Sequence, residues 1–306
     1  MKIKLSGFLL SLVLLYSCHP VRMVVKHVDH KYERWHTVID TVVTEKAKIQ
    51  VRTLGEGSET LLMIHGYGPM PQAQWLKQAK FFKEGYRIII PDLVYFGGSH
   101  SKEEEYSVDF QAEQVNAVLD HFGVEKAYVM GLSYGGMVAA RMASLHPDRV
   151  QKLVLVDALS RYYEREHVDS LVRANEIEYI GDLLLPDNTE NLRKLYQFTF
   201  KKRKIPAFMA KEILENLYQD QREEKLKVLR YIDESSDYLG SIDYRVDFPV
   251  LIVWGAEDML IPVRNAISLH NYYPNSTIQF IARSGHTPNF EQSKEFNTIV
   301  GEFLNE

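Results

Sequence analysis

A single cysteine, Cys18, stands in a chain of 306 residues, which excludes a disulfide framework and a cysteine-rich structural zinc site. No apolar run reaches the roughly 20 residues that a membrane-spanning helix needs; Leu5–Tyr16 is the longest and falls well short. Positive charge is not in excess either. With 36 Lys and Arg against 41 Asp and Glu, the net charge is −5, so nothing draws the chain generally to nucleic acid or anionic lipid. Among the eleven histidines only His27 and His30 have a ligand-like spacing, and no third partner stands near them, so they read as exposed polar residues. Repeats and low-complexity tracts are missing. At 45% hydrophobic and 25% charged, the composition excludes disorder, collagen-like repeats and coiled coil. What remains is a globular protein long enough for a large buried core.

The first residues read as an address. Lys2 and Lys4 precede the apolar stretch, as in a secretory signal. Leu15-Tyr16-Ser17-Cys18 resembles a bacterial lipobox, with Tyr16 an atypical occupant. It predicts removal of residues 1–17, a lipidated Cys18 and attachment to the cell-envelope membrane. Residues 18–34, polar with scattered apolar positions, are expected to be a tether.

After residue 35 short apolar runs alternate with helical stretches. His36–Val43 and Lys46–Thr53 can pair as a hairpin. Leu61–Ile64, Arg87–Ile90, Ala127–Gly131, Leu153–Val156, Val250–Trp254 and Thr277–Ile281 are short, rich in β-branched residues and bounded by Gly, Pro or Asp. Fully buried parallel strands look like this. The pattern predicts an α/β fold with a mostly parallel, doubly wound sheet. Residues 160–247 break the rhythm with helical pattern only, too long for a simple connection. They are expected to form a helical cap inserted between the sixth and seventh strands, with 35–159 and 248–306 as the core. The basic run Lys201–Lys204 within it reads as a solvated helix face.

Gly131-Leu132-Ser133-Tyr134-Gly135 fits G-x-S-x-G between a strand and a helix. A sharp turn there needs unbulky neighbours and lifts the serine hydroxyl above the sheet edge. A hydroxyl is a poor nucleophile near neutral pH and requires a base. His286, on the loop after Thr277–Ile281, is placed to serve. The base needs a carboxylate to fix its tautomer and balance its cation. Asp258 follows Val250–Trp254 and gives the order Ser, acid, His. Asp157, at the end of the preceding strand, faces the same edge and is a competitor. Developing oxyanion charge calls for backbone donors. The amide of Tyr134 and that of Tyr67, in His65-Gly66-Tyr67-Gly68-Pro69, are the candidates, with His65 bracing the loop.

Together with Pro91-Asp92-Leu93, Gly97-Gly98-Ser99, Gly255-Ala256-Glu257-Asp258 and Gly285-His286, these motifs resemble the α/β-hydrolase family over about residues 50–304. They are similar to its capped branch of esterases, lipases and carbon–carbon bond hydrolases. The resemblance implies a Ser133–His286–Asp258 triad, an oxyanion hole of the Tyr67 and Tyr134 amides, and a cap. A serine at 133 departs from the haloalkane dehalogenase and epoxide hydrolase branches, which use aspartate. Val94-Tyr95 replaces a common Arg-Gly and Leu132 a common histidine, changes expected in the pocket lining.

The expected activity is hydrolysis of carboxylic esters with apolar acyl or aryl groups, with no metal or organic cofactor. Cap aromatics (Tyr162, Tyr163, Tyr179, Tyr196, Phe198, Phe200, Phe208 and Tyr218) would shape the pocket. Rival readings are a ring-cleavage carbon–carbon bond hydrolase and a proline-type aminopeptidase, which would need Glu164, Glu166 or Glu178 facing the pocket. The non-enzyme alternative is a ligand-binding protein on the same fold.

Overall fold

A computed structural model describes residues 20–162, 164–200 and 205–306. The expected signal 1–17, Cys18, Tyr163 and Lys201–Lys204 lie outside the described residues. The described residues form a nine-stranded sheet, eight of whose strands run in the order β1-β2-β4-β3-β6-β7-β8-β9 while β5 pairs with β2 off this path. Its members are β1 (Val38–Val43), β2 (Ala47–Leu54), β3 (Glu59–Ile64), β4 (Tyr86–Pro91), β5 (His100–Ser101), β6 (Ala127–Leu132), β7 (Val150–Val156), β8 (Val250–Gly255) and β9 (Ser276–Ile281). β1 and β2 form the antiparallel hairpin, and β3, β4, β6, β7, β8 and β9 are parallel.

Alternate side chains of each buried strand enter different cores. In β3, Leu62 and Ile64 pack with α4 (Val108–His121) and α5 (Tyr134–Leu145) on one face. Leu61 and Met63 pack on the other with α3 (Leu76–Phe82) and α14 (Ser293–Asn305). Helices on both faces are what unbroken apolar strands demand, since neither side of them can meet water.

Among the described residues between β7 and β8 lie six helices: α6 (Arg165–Ala174), α7 (Ile180–Leu184), α8 (Thr189–Thr199), α9 (Ala207–Leu217), α10 (Arg222–Glu234) and α11 (Ser236–Ser241). They build an apolar cluster around Leu183, Leu192, Ala210 and Ile213, which Val21 joins from outside the insertion. In strand order this insertion follows the seventh strand, not the sixth. The difference is β5, two residues pairing with β2, too short to carry any periodicity.

The stretch expected as a tether is helical from residue 20. It forms α1 (Pro20–Arg34), which buries Val21, Val28 and Tyr32. These positions, with half-buried Val25, repeat at i, i+4, i+7 and i+11, a helical stripe. The intervening His, Lys and Arg residues dilute it. The α1 helix packs on α9, where the Val21 amide donates to Glu212 Oε1 (3.2 Å) and Arg22 Nε to Asn216 Oδ1 (3.3 Å). Its other end is held by the Tyr32 hydroxyl, which donates to the Gln72 carbonyl at 2.8 Å. Among the described residues no helix is long and apolar enough to cross a membrane.

The Pro91-Asp92-Leu93 motif has a structural role. The buried Asp92 carboxylate accepts from Arg52 Nη1 (2.8 Å), Gln50 Nε2 (3.0 Å) and the Gly98 amide (3.0 Å). Arg52 is buried as well. Replacing Asp92 by Ala strands that guanidinium in the core and is expected to cost about 3–5 kcal/mol. A denaturant titration of Asp92→Ala against wild type measures it.

Candidate active site

The C-terminal ends of five neighbouring parallel strands share one edge of the sheet. In spatial order β3 leads to Tyr67, β6 to Ser133, β7 to Asp157, β8 to Asp258 and β9 to His286. Residues far apart in sequence therefore converge where open α/β sheets place their ligands.

Ser133 joins β6 to α5 with φ 53° and ψ −121°, a region that L-residues seldom occupy. The surroundings hold it there. Its amide donates to the Val156 carbonyl (2.9 Å), and its carbonyl accepts from the amides of Gly136 and Leu159 (2.9 Å each). Gly135 is required two residues on, because a Cβ there would run into the carbonyls of His65 and Ile64. Gly255 serves in the same way at the end of β8, where the chain carrying Gly285 crosses with no room for a side chain. That crossing sets His286 beside Asp258.

The three side chains meet in line. His286 Nε2 lies 2.9 Å from Ser133 Oγ, and His286 Nδ1 lies 2.8 Å from Asp258 Oδ2. Asp258 Oδ1 accepts from the amides of Leu260 (2.8 Å) and Ile261 (3.0 Å), which fixes the carboxylate plane. His286 and Asp258 are buried, while Ser133 opens onto a cavity. With Nδ1 protonated toward Asp258, Nε2 is free to accept the serine proton. Among the described residues no hydrogen-bond acceptor faces the amide of Tyr67 or of Tyr134. Both hydroxyls are buried without a partner, and burial pushes the Tyr67 and Tyr134 phenols upward, so they stay neutral.

His65 braces the loop. Its Nδ1 lies 2.8 Å from the Gly66 carbonyl and its Nε2 2.8 Å from the Leu93 amide, so Nδ1 is the donor and Nε2 the acceptor. Burial holds its pKa low, and the ring remains neutral. Asp157 takes no direct part in this line. Its Oδ1 accepts the Gly255 amide at 2.9 Å, and burial, then the charge of Asp258, holds its carboxyl well above the usual carboxylate range.

The cavity beside Ser133 measures about 420 Å³. It runs between the sheet edge and the helices of the insertion. Its wall contains no Asp, Glu, Lys or Arg among the described residues. Of the insertion's aromatics, Tyr196, Phe200 and Tyr218 line it, whereas Phe208 is exposed and Tyr162 stacks edge-on against Tyr272. Glu164 pairs with Arg264 at the surface instead of facing the cavity. Leu132 lines the wall, as expected. Val94 and Tyr95 do not: Tyr95 takes φ 75° and turns its hydroxyl to the carbonyls of Glu103 and Glu105 (2.6 and 3.0 Å). Val24 and Val28 of α1 also line the cavity, a contribution that only the helical spacing of the valines could have signalled.

Comparison with known proteins agrees with this architecture. A 2-hydroxy-6-oxononadienedioate/2-hydroxy-6-oxononatrienedioate hydrolase of Paraburkholderia phymatum is 28% identical over 264 residues, covering 84% of this chain and 91% of that one. The structure of a putative lipase from Acinetobacter baumannii superposes with a TM-score of 0.79 at 22% identity, covering 91% of this chain and 94% of that one. A membrane phospholipase A superposes with a TM-score of 0.78 at 24% identity, covering 98% of each. Such identities carry the fold. A family model for the alpha/beta hydrolase fold matches residues 59–293, a span that contains Ser133, Asp258 and His286, and to that family the chain belongs.

Proposed function

We propose that the protein is a serine hydrolase of carboxylic esters with apolar acyl or aryl groups, working through an acyl-enzyme. His286 Nε2 takes the Ser133 proton as Oγ attacks the carbonyl carbon. The imidazolium is balanced by Asp258, and the amides of Tyr67 and Tyr134 meet the oxyanion. His286 returns the proton to the leaving alcohol, then removes one from the water that attacks the acyl-enzyme, and gives it to Ser133 Oγ as the acid leaves. The observation that carries the ester reading is that the described residues of the cavity wall include no Asp, Glu, Lys or Arg. A substrate carboxylate placed there without a partner would lose several kcal/mol of hydration. The same wall leaves an aminopeptidase without an acid for its substrate's amine. Residues 160–247 would act as the substrate-selecting cap.

The second reading is carbon–carbon bond hydrolysis, and the named sequence relatives favour it over ester cleavage. The P. phymatum enzyme's name specifies a dicarboxylate. Comparing kcat/KM for a chain-length series of p-nitrophenyl esters with that for 2-hydroxy-6-oxodienoates separates the two. Ester cleavage should improve about fourfold per added methylene, the equivalent of ~0.8 kcal/mol, until the cavity fills. It should also exceed dienedioate turnover by about 10³-fold. Dienoate cleavage without ester cleavage would establish the second reading instead.

The lipobox-like Leu15–Cys18 supports an envelope lipoprotein with Cys18 as the mature, lipidated N-terminus. A single chain anchors only marginally, so multiple acylation is expected. Mass spectrometry of the membrane-extracted protein should find the N-terminal peptide starting at acylated Cys18; a peptide retaining residues 1–17 would overturn it.

A further inference from the structure

Asp157 is a fully buried acid at the rim of the site to which the acyl-transfer steps give no task. It leaves β7 with a positive φ of 39°. Its Oδ1 is satisfied by the Gly255 amide, but Oδ2 is buried and meets no donor among the described residues. What it approaches is the relay itself: an oxygen of Asp157, an oxygen of Asp258 and a ring nitrogen of His286 lie within 4.8 Å of one another. An acceptor facing an acceptor is a hydrogen bond only if one of the two carries a proton. Asp258 already spends Oδ1 on two amides and Oδ2 on His286.

We propose that Asp157 carries that proton, donates it from Oδ2 to the Asp258 carboxylate, and is the reserve acid of the relay: it positions Asp258 while both are present and takes its place opposite His286 when Asp258 is lost. This rests on the Ser133–His286–Asp258 reading above. Two carboxyl groups this close and this buried hold one proton and one negative charge between them. The charges that bear on Asp157 agree, Asp258 first and then Glu291, both negative and both opposing its ionisation. Glu291 is itself engaged, accepting from the Gly285 amide at 2.8 Å. The proton count balances through turnover. When His286 takes the Ser133 proton, its cation faces a pair of net charge −1, and no proton has to leave that pair. If Asp258 becomes Asn, Asp157 gives its proton to solvent and the new carboxylate faces the imidazolium.

The test is the rate at which a fluorophosphonate modifies Ser133 in wild type, Asp157→Asn, Asp258→Asn and the double variant, measured across pH. Asp157→Asn should stay within about threefold of wild type, because its amide still donates to Asp258. Asp258→Asn should lose about 10²–10³-fold, short of the ~10⁴ of an unaided relay. Its remaining reactivity should rise at higher pH than in wild type, since Asp157 has to ionise first. The double variant should lose at least a further tenfold together with that limb. Equal rates and equal pH profiles for Asp258→Asn and the double variant would overturn the proposal.

A second pair of measurements needs no activity. Unfolded Asp157 is ionised above about pH 4, whereas the folded group keeps its proton. Folding therefore takes up a proton, and this group's contribution to stability falls as pH rises. Asp157→Asn removes that slope, so between pH 5 and 8 its Tm should fall less than that of wild type, by about 2 °C or more. The infrared difference spectrum at pH 7 should show a protonated carboxyl C=O stretch lost in Asp157→Asn. A wild-type slope and no lost band would overturn the proposal whatever the labelling shows. Absence of labelling in wild type would overturn the Ser133 reading alone.

Discussion

Ser133→Ala should lower kcat for any ester the protein cleaves by about 10⁵–10⁶-fold and abolish labelling by a fluorophosphonate. The hydroxyl opens to the cavity and lies within proton-transfer reach of His286 Nε2, at 2.9 Å. The deletion should cost little stability. The strained turn is held by the Ser133 amide and carbonyl through Val156, Gly136 and Leu159, and none of these bonds involves the side chain. A thermal melt unchanged within a few degrees, beside a rate reduced to what the remaining donors and binding supply, is the expected pair of results. Ester turnover persisting near the wild-type rate would remove Ser133 from the mechanism. Wild-type protein that neither labels nor turns over any ester or dienoate would favour the ligand-binding alternative.

The strands β3, β4, β6, β7 and β8 are legible in the sequence because burial on both faces forces unbroken runs such as Leu61–Ile64 and Val250–Trp254. Ser133 and His286 are legible for a different reason. Glycines stand on both sides of a serine after a strand because the backbone passes closely there, as at Gly131 and Gly135, and a histidine follows a glycine on a late loop. The acid was legible only as a choice between two. Asp157 and Asp258 both sit beyond strand ends on one edge, and what separates them is the course of two turns. Asp157 comes immediately at the end of β7 and looks toward Gly255. Asp258 comes three residues past β8 and is turned by two amides toward His286. That choice depends on φ and ψ, which composition does not record. The α1 helix is not legible in the sequence because its stripe is thin and its partner, α9, lies nearly two hundred residues away. Tyr95 misled in the opposite direction. A tyrosine where glycine is common suggests a new pocket wall, yet the backbone keeps the left-handed conformation and sends the ring into the core.

His286→Ala should be as damaging as loss of the serine, again about 10⁵–10⁶-fold in kcat, although Ser133 is still present. A serine hydroxyl without a base is almost wholly protonated near neutral pH, and among the described residues no other histidine lines the cavity. His65 is locked between the Gly66 carbonyl and the Leu93 amide, and His167 is bonded to the Leu260 carbonyl at 3.2 Å. Labelling of Ser133 should therefore collapse with hydrolysis, which separates loss of nucleophile activation from loss of substrate binding. The double variant Ser133→Ala/His286→Ala should be no slower than either single one, because serine and imidazole act as one unit and the second deletion finds nothing left to remove. Each variant is compared with wild type in kcat, KM and melting temperature. The relay reading expects kcat to fall and KM for a medium-chain ester to stay within about threefold, since the apolar wall that binds the acyl chain is unchanged. Strictly multiplicative losses in the double variant would mean that Ser133 and His286 contribute independently, and a shared proton path between them would be ruled out.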